Sequence, residues 1–312
     1  MKLAVPCFPV PPAGCSRPHE RVPSDRGTKR EEAQMAGESG RVTVERDVVF
    51  GTGGGRELRC NIYHPPDRRS DAPSVLLVHG GGWASGDRSQ LHGYGILLGR
   101  IGYVCVACEY RLAGEAKWPA QIHDVKAALR WMRANAGGLG IDPGKISVSG
   151  NSAGGHLSLI AAGTQDLPEF EGDGGNAGAG TSVAAAIAFY APSILSAPGA
   201  SLSPEIEFLM GPGPGADALR EASPISYAAA GFPPTLLFHG NKDELVPHEA
   251  SLRMYRALDE AGAPVEMHLY AGAPHAFDAV PELGRQCATI MALFLDRHVV
   301  HPRPVAVPAA AP

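Results

Sequence analysis

The stretch Ile146-Ser-Val-Ser-Gly-Asn-Ser-Ala-Gly-Gly-His-Leu157 decides the fold of this chain. A short β-branched run leads straight into Gly150-Asn-Ser-Ala-Gly154, and an apolar, alanine-rich helical pattern follows. A tight turn at the end of a buried strand strains its central residue and needs small residues two positions before and after it. The pattern therefore predicts a strand-to-helix turn that presents Ser152 as a candidate nucleophile. Because the chain holds 39 glycines, the motif needs support from oxyanion donors before the serine and from an acid and a histidine after it.

The balance of charge and hydropathy excludes two classes of partner. The 32 acidic and 27 basic residues are spread along the chain and give a net charge of −5, which argues against a nucleic-acid surface. No apolar run approaches the roughly 20 residues that a membrane-spanning helix needs. We therefore expect neither a nucleic-acid partner nor a membrane span.

The six cysteines are too few and too scattered to form the framework of a disulfide-rich secreted domain. Cys105 and Cys108 have the spacing of a redox motif, but the run Gly102–Tyr110 is typical of a buried strand. Residues three apart on a strand point to opposite faces, so we expect these thiols to pack in the core rather than to pair. A reducing, cytoplasmic location is the corresponding expectation.

The domain organisation follows from where periodicity begins and ends. Residues 1–40 carry prolines and a charged patch without hydrophobic periodicity, which predicts a disordered N-terminal extension and makes Met35 a candidate for the true start. The periodic part, 41–298, is expected to form one domain. Within it, 191–232 holds prolines and glycines around short apolar clusters and predicts a small insertion or cap. The Pro/Ala-rich end, 299–312, is expected to be a flexible tail.

Strand and helix patterns alternate along the periodic part. The continuous apolar run 74–78 predicts a strand covered on both faces, and two alternating runs before it predict an antiparallel hairpin at a sheet edge. The fold class is therefore α/β, with a mostly parallel central sheet and helices on both faces. The predicted strands are 42–50, 57–63, 74–78, 102–109, 145–149, 183–190, 234–238 and 265–270, and the predicted helices are 88–100, 119–136, the segment after Ser152 and 283–297.

A glycine-rich loop stands upstream of the serine, directly after a buried strand, and reads His79-Gly-Gly-Gly-Trp83. Consecutive glycines allow backbone N–H groups to point into one cavity, and a tetrahedral oxyanion needs such preorganised donors. A loop of this type, together with the amide that follows the nucleophile, here Ala153, forms the oxyanion hole of lipases and esterases. The loop therefore supports Ser152 as a nucleophile.

An acid and a histidine follow the serine in chain order. Asp243 lies in the loop after the strand 234–238, at the edge where ligand-facing groups emerge from an α/β sheet, and it is favoured over its neighbour Glu244. His275 lies in a loop after the last strand, from which it can reach back to the serine. The order serine, aspartate, histidine is that of α/β-hydrolases. The other downstream histidines, His239, His248 and His268, are interpreted as packing or solvent-facing residues.

Taken together, these motifs resemble the hormone-sensitive-lipase-like branch of the α/β-hydrolase esterases, over roughly residues 42–298. The matching motifs are His79-Gly-Gly-Gly-Trp83, Tyr110-Arg-Leu112, Gly150-Asn-Ser-Ala-Gly154, His239-Gly-Asn-Lys-Asp243 with Val246-Pro247, and Pro274-His-Ala-Phe277. The resemblance implies an α/β-hydrolase fold with a small cap, an oxyanion hole of Gly81, Gly82 and Ala153, and a structural pair of Arg111 with Asp124. His156 is expected to pack or to form a hydrogen bond rather than to touch substrate.

The expected function is that of a serine carboxylesterase that hydrolyses short-chain esters through an acyl-enzyme on Ser152. Asp243 and His275 complete the catalytic triad, and neither a metal nor a cofactor is expected. Alternatives left open are an amidase such as an aryl-formamidase, an acetyl or feruloyl esterase acting on polysaccharide, and a ligand-binding homologue without activity. A homodimer is compatible with the sequence, but no helix or edge strand is singled out as its interface.

The walls of the acyl pocket are the least determined part of the site. They are expected to come from Trp83, from residues around 41–50 and from the insertion 191–232, where the candidate substrate contacts are Phe208, Leu209 and Met210. Because the insertion is short, we expect small acyl groups.

Overall fold

The computed structural model describes residues 40–165, 167–195 and 201–305. The predicted N-terminal extension up to residue 39, with the candidate start Met35, lies outside the described residues, as does the tail beyond residue 305. From Gly40 onward the chain forms one compact unit.

An eight-stranded sheet organises this unit, in the order β1-β2-β4-β3-β5-β6-β7-β8. β1 pairs antiparallel with β2 and β2 antiparallel with β4, while the remaining pairs are parallel. The predicted edge hairpin and mostly parallel sheet are therefore confirmed. The strands are β1 (Thr43–Gly53), β2 (Arg56–His64), β3 (Ala72–Val78), β4 (Val104–Cys108), β5 (Ile141–Asn151), β6 (Ala186–Phe189), β7 (Thr235–Gly240) and β8 (Val265–Tyr270).

Helices cover both faces of the sheet, as predicted. They are α1 (His92–Gly99), α2 (Ala120–Ala134), α3 (Ala136–Leu139), α4 (Ala153–Gly163), α5 (Pro204–Met210), α6 (Ala216–Glu221), α7 (Glu249–Glu260) and α8 (Pro281–Leu295). Single helical turns of other geometry occupy Pro168–Phe170, Pro224–Tyr227, Phe277–Ala279 and Asp296–Val300. Among the described residues, no helix is both long and apolar enough to cross a membrane.

Two apolar cores form because each central strand is buried on both faces. One core joins the sheet to α2, α4 and α7, and the other joins it to α1 and α8. Cys108 belongs to the first core and Cys105 to the second, which is the separation expected for residues three apart on a strand. Both thiols are buried and free.

The predicted insertion between β6 and β7 contains α5, α6 and the turn Pro224–Tyr227 in its described part. The other irregular segment, 167–181, is held against α2. There the Arg130 guanidinium donates to Glu171 O and Gly175 O, at 2.6 and 2.9 Å, and Gly174 O accepts from the Thr52 amide.

The carboxyl ends of four parallel strands meet in one row at one edge of the sheet. Val78 is in register with Gly150, and Phe189 is in register with Asn151 on one side and Phe238 on the other. The loops that follow these strands therefore converge at the edge where α/β proteins bind ligands.

Candidate active site

Ser152 lies between the last residue of β5 and the first residue of α4, in a backbone conformation that non-glycine residues rarely adopt, with φ 53° and ψ −119°. The turn is tight because α4 starts directly above the strand. A Cβ atom on Gly150 would lie 2.3 Å from Gly154 O, and one on Gly154 would lie 2.0 Å from Val78 O. The small residues read from the sequence are therefore a steric requirement of the turn that exposes the serine.

His275 lies between Ser152 and Asp243, within hydrogen-bond distance of both. Its Nε2 is 3.0 Å from Ser152 Oγ, and its Nδ1 is 2.7 Å from Asp243 Oδ2. Asp243 follows β7 and His275 follows β8, so two adjacent parallel strands deliver them to the serine. The three predicted triad residues are thus brought together, with the geometry of a nucleophile, a base and an orienting acid.

The Asp243 carboxylate accepts N–H donors on both oxygens. The amides of Leu245 and Val246 donate to Oδ1 at 3.0 and 2.9 Å, and His275 donates to Oδ2. Burial alone would raise the pKa of Asp243, but hydrogen bonds from His239, His275 and the Val246 amide outweigh it and hold the pKa well below its usual range. The neighbouring Glu244 is exposed to solvent.

His239 is a second partner of the acid, and the sequence analysis missed it. It is fully buried, and its Nε2 is 3.2 Å from Asp243 Oδ2 and 2.9 Å from Val246 O. A carbonyl oxygen only accepts, so Nε2 carries the proton and Nδ1 accepts from the Ser251 hydroxyl at 2.7 Å. The signal that could have found it is its position at the end of β7, four residues before Asp243.

The glycine loop after β3 passes directly beside the nucleophile. A Cβ on Gly80 would lie 3.3 Å from Ser152 Cβ and 2.8 Å from Asn151 O. Gly81 and Gly82 have positive φ angles of 110° and 59°, and Gly81 O accepts from the amides of Ala84 and Ser85. Gly81, Gly82, Ala153 and Ser152 all line one cavity. The three predicted oxyanion donors therefore share the space that faces the serine.

Trp83 ties this loop to α4 through His156. Its Nε1 donates to His156 Nδ1 at 3.3 Å, while His156 Nε2 donates to Ala222 O at 2.7 Å. Burial lowers the pKa of His156 to about 4, so the imidazole is neutral at pH 7. His156 is fully buried and positions the loop.

The cavity beside Ser152 measures about 1490 Å³. Trp83 lines it, but the other predicted substrate contacts lie elsewhere: Phe208 is 45% exposed beneath the Lys117 ammonium, and Leu209 is buried in the core. Met210 packs against the same core. The residues of α5 that line the cavity are Glu205 and Ile206, one turn earlier in the helix. Residues 41–50 do not line the cavity either, because β1 is the far edge of the sheet.

A polar network beside the triad also escaped the sequence analysis. The Tyr190 and Tyr94 hydroxyls donate to the two oxygens of Asp278, at 2.6 and 3.0 Å. The Asn151 amide donates to Tyr190 Oη at 3.3 Å, and the Tyr190 ring meets the His275 ring edge-on at 4.5 Å. No sequence motif marks Tyr94, Tyr190 or Asp278. The register of β5 with β6, which pairs Asn151 with Phe189, brings Asn151 next to Tyr190.

The Arg111–Asp124 pair that the resemblance implied is formed. The guanidinium donates to both carboxylate oxygens at 2.8 Å, and the Arg111 amide adds a third bond at 2.8 Å. In the described ranges, no group of three or more His, Cys, Asp and Glu side chains is arranged to hold a metal ion.

Comparison with solved structures places the chain among α/β-hydrolase esterases. Esterase 2 from the Planctomycetes species Thermogutta terrifontis superposes with a TM-score of 0.72 at 28% identity, over 86% of this chain and 96% of that one. The same esterase has also been solved phosphorylated by paraoxon. A truncated carbohydrate esterase from gut microbiota superposes with a TM-score of 0.73 at 25% identity, over 83% of this chain and 98% of that one. The expected α/β-hydrolase fold is confirmed.

Curated relatives point to the same group. Esterase LipQ of Mycobacterium tuberculosis is 35% identical over 248 residues, which cover 74% of this chain and 57% of LipQ. The probable carboxylic ester hydrolase LipM of the same organism is 34% identical, over 74% of this chain and 56% of LipM. The chain thus spans little more than half the length of these relatives. The sequence model described as BD-FAE matches residues 60–258, which is more than half of the chain. The chain therefore belongs to the BD-FAE family, within the hormone-sensitive-lipase-like α/β-hydrolases.

Proposed function

We propose that the protein is a serine carboxylesterase that hydrolyses esters of short carboxylic acids through an acyl-enzyme on Ser152. One observation carries the proposal: a continuous hydrogen-bond chain runs from Ser152 Oγ through His275 to Asp243, with lengths of 3.0 and 2.7 Å. The esterases among its relatives support the same reaction class.

In the first half of the reaction, His275 Nε2 takes the proton of Ser152 as Oγ attacks the ester carbonyl carbon. The amides of Gly81, Gly82 and Ala153 stabilise the negative charge that develops on the carbonyl oxygen. Asp243 holds the imidazole with Nδ1 protonated and stabilises the imidazolium. The tetrahedral intermediate collapses when the alkoxide leaves with the proton from His275.

In the second half, water replaces the alcohol. His275 removes a proton from that water as it attacks the acyl-enzyme, and then returns the proton to Ser152 as the acid leaves. The same donors stabilise both intermediates, so one site serves both halves of the reaction.

Small acyl groups are favoured by comparison with a relative of similar structure. Esterase 2 of T. terrifontis has been solved with propionate and with butyrate bound. We propose that the insertion 191–232 acts as the cap of a domain spanning 41–298, since Ile194, Leu195 and Ile206 line the cavity from this segment. A chain-length series of p-nitrophenyl esters tests the size limit: maximal activity on acyl chains of twelve or more carbons would contradict it.

Replacing Ser152 by alanine is the test of the reaction itself. We expect kcat on p-nitrophenyl acetate to fall by roughly 10⁴-fold or more, with the thermal unfolding midpoint retained, because only the nucleophile is lost. Ser182→Ala is the matched control, since Ser182 is exposed and outside the cavity lining. Near-native turnover in Ser152→Ala would refute the acyl-enzyme.

We also propose a cytoplasmic location. The homodimer stays a prediction. The four described cysteines are free, even though Cys60 and Cys108 are directly opposed across β2 and β4, which fits a reducing compartment. Cell fractionation tests the location, and a secreted pool would contradict it. Light scattering of the purified protein distinguishes a monomer from a homodimer.

A further inference from the structure

The residues that line the cavity beside Ser152 fall into two sets, here called arms, because they come from elements packed on opposite faces of the sheet. One arm, the cap arm, lies along the insertion and the loop before α7. The other, the helix arm, runs between α1 and α8. The cap arm includes Ile194, Leu195, Glu205, Ile206 and Val246, and the helix arm includes Gly93, Ile96, Leu97, Arg100, Gly284 and Arg285.

The helix arm is an apolar groove along one helix face. Four of its residues belong to α1 and its C-cap and lie three or four positions apart, so they share one helix face. They are Gly93, Ile96, Leu97 and Arg100. A Cβ atom on Gly93 would meet nothing within 4 Å, which leaves the groove open there. From Gly93 to Arg100 the helix rises by about 10 Å at 1.5 Å per residue. That length suits an extended apolar spacer between the reacting ester and the far end of the arm.

Two unpaired guanidinium groups lie on this arm. Within the described part of the chain, neither Arg100 nor Arg285 forms a side-chain hydrogen bond or an ion pair, and both are exposed. Two carboxylates line the cavity. Glu205 belongs to the cap arm, and Asp278 already accepts two tyrosine hydroxyls. With two arginines against the single carboxylate of Asp278, the helix arm carries a net positive charge.

The helix arm begins at the turn that carries His275. The turn that carries His275 continues to Asp278, whose carboxylate is bonded to Tyr94 of α1 at 3.0 Å. In ester hydrolysis His275 gives its proton to the departing alkoxide, so the alcohol portion must lie next to this turn. The alcohol, rather than the acyl group, is therefore the part that extends towards Arg100.

We propose that the preferred substrates are esters of a small acid with an alcohol whose apolar chain ends in a carboxylate, which Arg100 and Arg285 bind. The inference rests on the proposed ester hydrolysis and adds the class of alcohol. Guanidinium groups suit this role because their planar N–H donors match a carboxylate and stay charged at every working pH.

Three acetate esters of equal length test the proposal. Their alcohols are eight-carbon chains ending in a carboxylate, a neutral amide or a trimethylammonium group. We expect wild-type kcat/KM to fall in that order. The double variant Arg100→Gln, Arg285→Gln should lose about tenfold on the carboxylate probe, mainly through KM, because charge-assisted hydrogen bonds are lost. The control Arg253→Gln, an exposed arginine of α7 outside the cavity lining, should keep the wild-type rate on all three probes and on p-nitrophenyl acetate.

The outcomes separate this proposal from the proposed function. Equal kcat/KM of the wild type on the three probes would overturn the proposed carboxylate binding by the helix arm. So would a double variant that loses as much activity on the amide probe as on the carboxylate probe. Either result leaves the proposed ester hydrolysis intact. If no ester is turned over, calorimetry still tests the helix arm, because it measures binding of the product anion ω-hydroxyoctanoate directly. Binding to the Ser152→Ala protein that weakens in Arg100→Gln, Arg285→Gln and with added salt supports the arm, and no binding rejects it.

Discussion

Of the three triad side chains, that of Asp243 makes the most hydrogen bonds. Two backbone amides and two imidazoles surround its carboxylate, so the ionised form is held in a buried place where an unpaired charge would be costly. Because its pKa is held well below the usual range, the Asp243 carboxylate is ionised at neutral pH. We propose that Asp243 orients and stabilises His275 without transferring a proton of its own.

Exchanging Asp243 for asparagine tests that role. We expect kcat to fall by about 10⁴-fold because the carboxamide no longer fixes the base in the required tautomer. Glu244→Gln, which makes the same chemical change at the next, exposed position, should leave the rate within about twofold of wild type. Steady-state kinetics of the pair measures the difference. Equal rates in both variants would remove Asp243 from the mechanism.

The order of residues in the chain was enough to predict the triad, whereas the residues around it could not be predicted in this way. Ser152, Asp243 and His275 each follow a strand, and all parallel strands deliver their carboxyl ends to one edge. His239 and Tyr190 join the site through side-chain directions set by strand register, which one sequence does not reveal. The predicted substrate contacts do not line the cavity for a related reason. Phe208 and Leu209 belong to α5, but a different turn of that helix faces the cavity.

At the scale of elements, the junction of β5 with α4 determines whether Ser152 faces the cavity. The two glycines of this junction face backbone oxygens of β3 and of the turn itself. Backbone atoms of a central strand cannot move aside as a side chain can. The strand-to-helix turn therefore depends on both glycines, although neither lines the cavity.

Gly154→Ala is expected to destabilise the fold by about 3 kcal/mol and to reduce activity, because the new methyl group would lie 2.0 Å from Val78 O and 2.5 Å from His79 O. Gly138→Ala in α3 meets nothing within 4 Å and should change the free energy of unfolding by less than about 1 kcal/mol. Urea unfolding of both variants measures this. Equal stability of the two variants would contradict the steric explanation of the strand-to-helix turn at Ser152.

Element prediction worked best where burial was complete. The run 74–78 lies in β3, a strand buried at every residue, and the hairpin β1–β2 has the predicted antiparallel pairing at the edge. Boundaries were less certain. β5 begins at Ile141, four residues before the predicted strand, because Ile141 pairs with Ala72 ahead of an irregularity in the register. Residues 142–145, Asp-Pro-Gly-Lys, lack the apolar pattern of a strand and so conceal this pairing in the sequence.

At the scale of the whole molecule, Glu171 links the irregular segment 167–181 to α2. Its carboxylate accepts from the fully buried Lys126 at 2.8 Å, from Arg130 at 2.9 Å and from the Thr181 hydroxyl at 2.7 Å. Burial raises the pKa of Glu171, but these donors outweigh it, and the pKa lies below its usual value. The acidic and glycine-rich composition of this segment does not by itself reveal the basic residues of α2 that face it.

The pH dependence of stability should report this link. Because the pKa of Glu171 is lower in the folded than in the unfolded chain, its stabilisation is complete above about pH 5 and is lost as the pH falls through about 4 and below. We expect Glu171→Gln to cost about 2 kcal/mol at pH 7 and less at pH 4. The exposed Glu169→Gln is the control. Unfolding curves at both pH values measure the difference, and a cost that does not shrink in acid would contradict the assignment.

The cavity is the feature of the whole molecule on which substrate choice depends. At about 1490 Å³ it exceeds the roughly 300–1,000 Å³ of ordinary small-molecule sites, which leaves room for a large alcohol beside a small acyl group. Its two arms lie on opposite faces of the sheet and carry different charge. We therefore propose that separate sets of residues select the two halves of the ester.

The identity of the nucleophile is tested most directly by covalent labelling. The protein is incubated with paraoxon, digested and mapped by mass spectrometry. We predict one diethylphosphoryl group per chain, on the peptide that contains Ser152, and loss of esterase activity in proportion to labelling. The Ser152→Ala protein should remain unlabelled. A label on any other residue, or full activity after stoichiometric labelling, would contradict the assignment of Ser152 as the nucleophile.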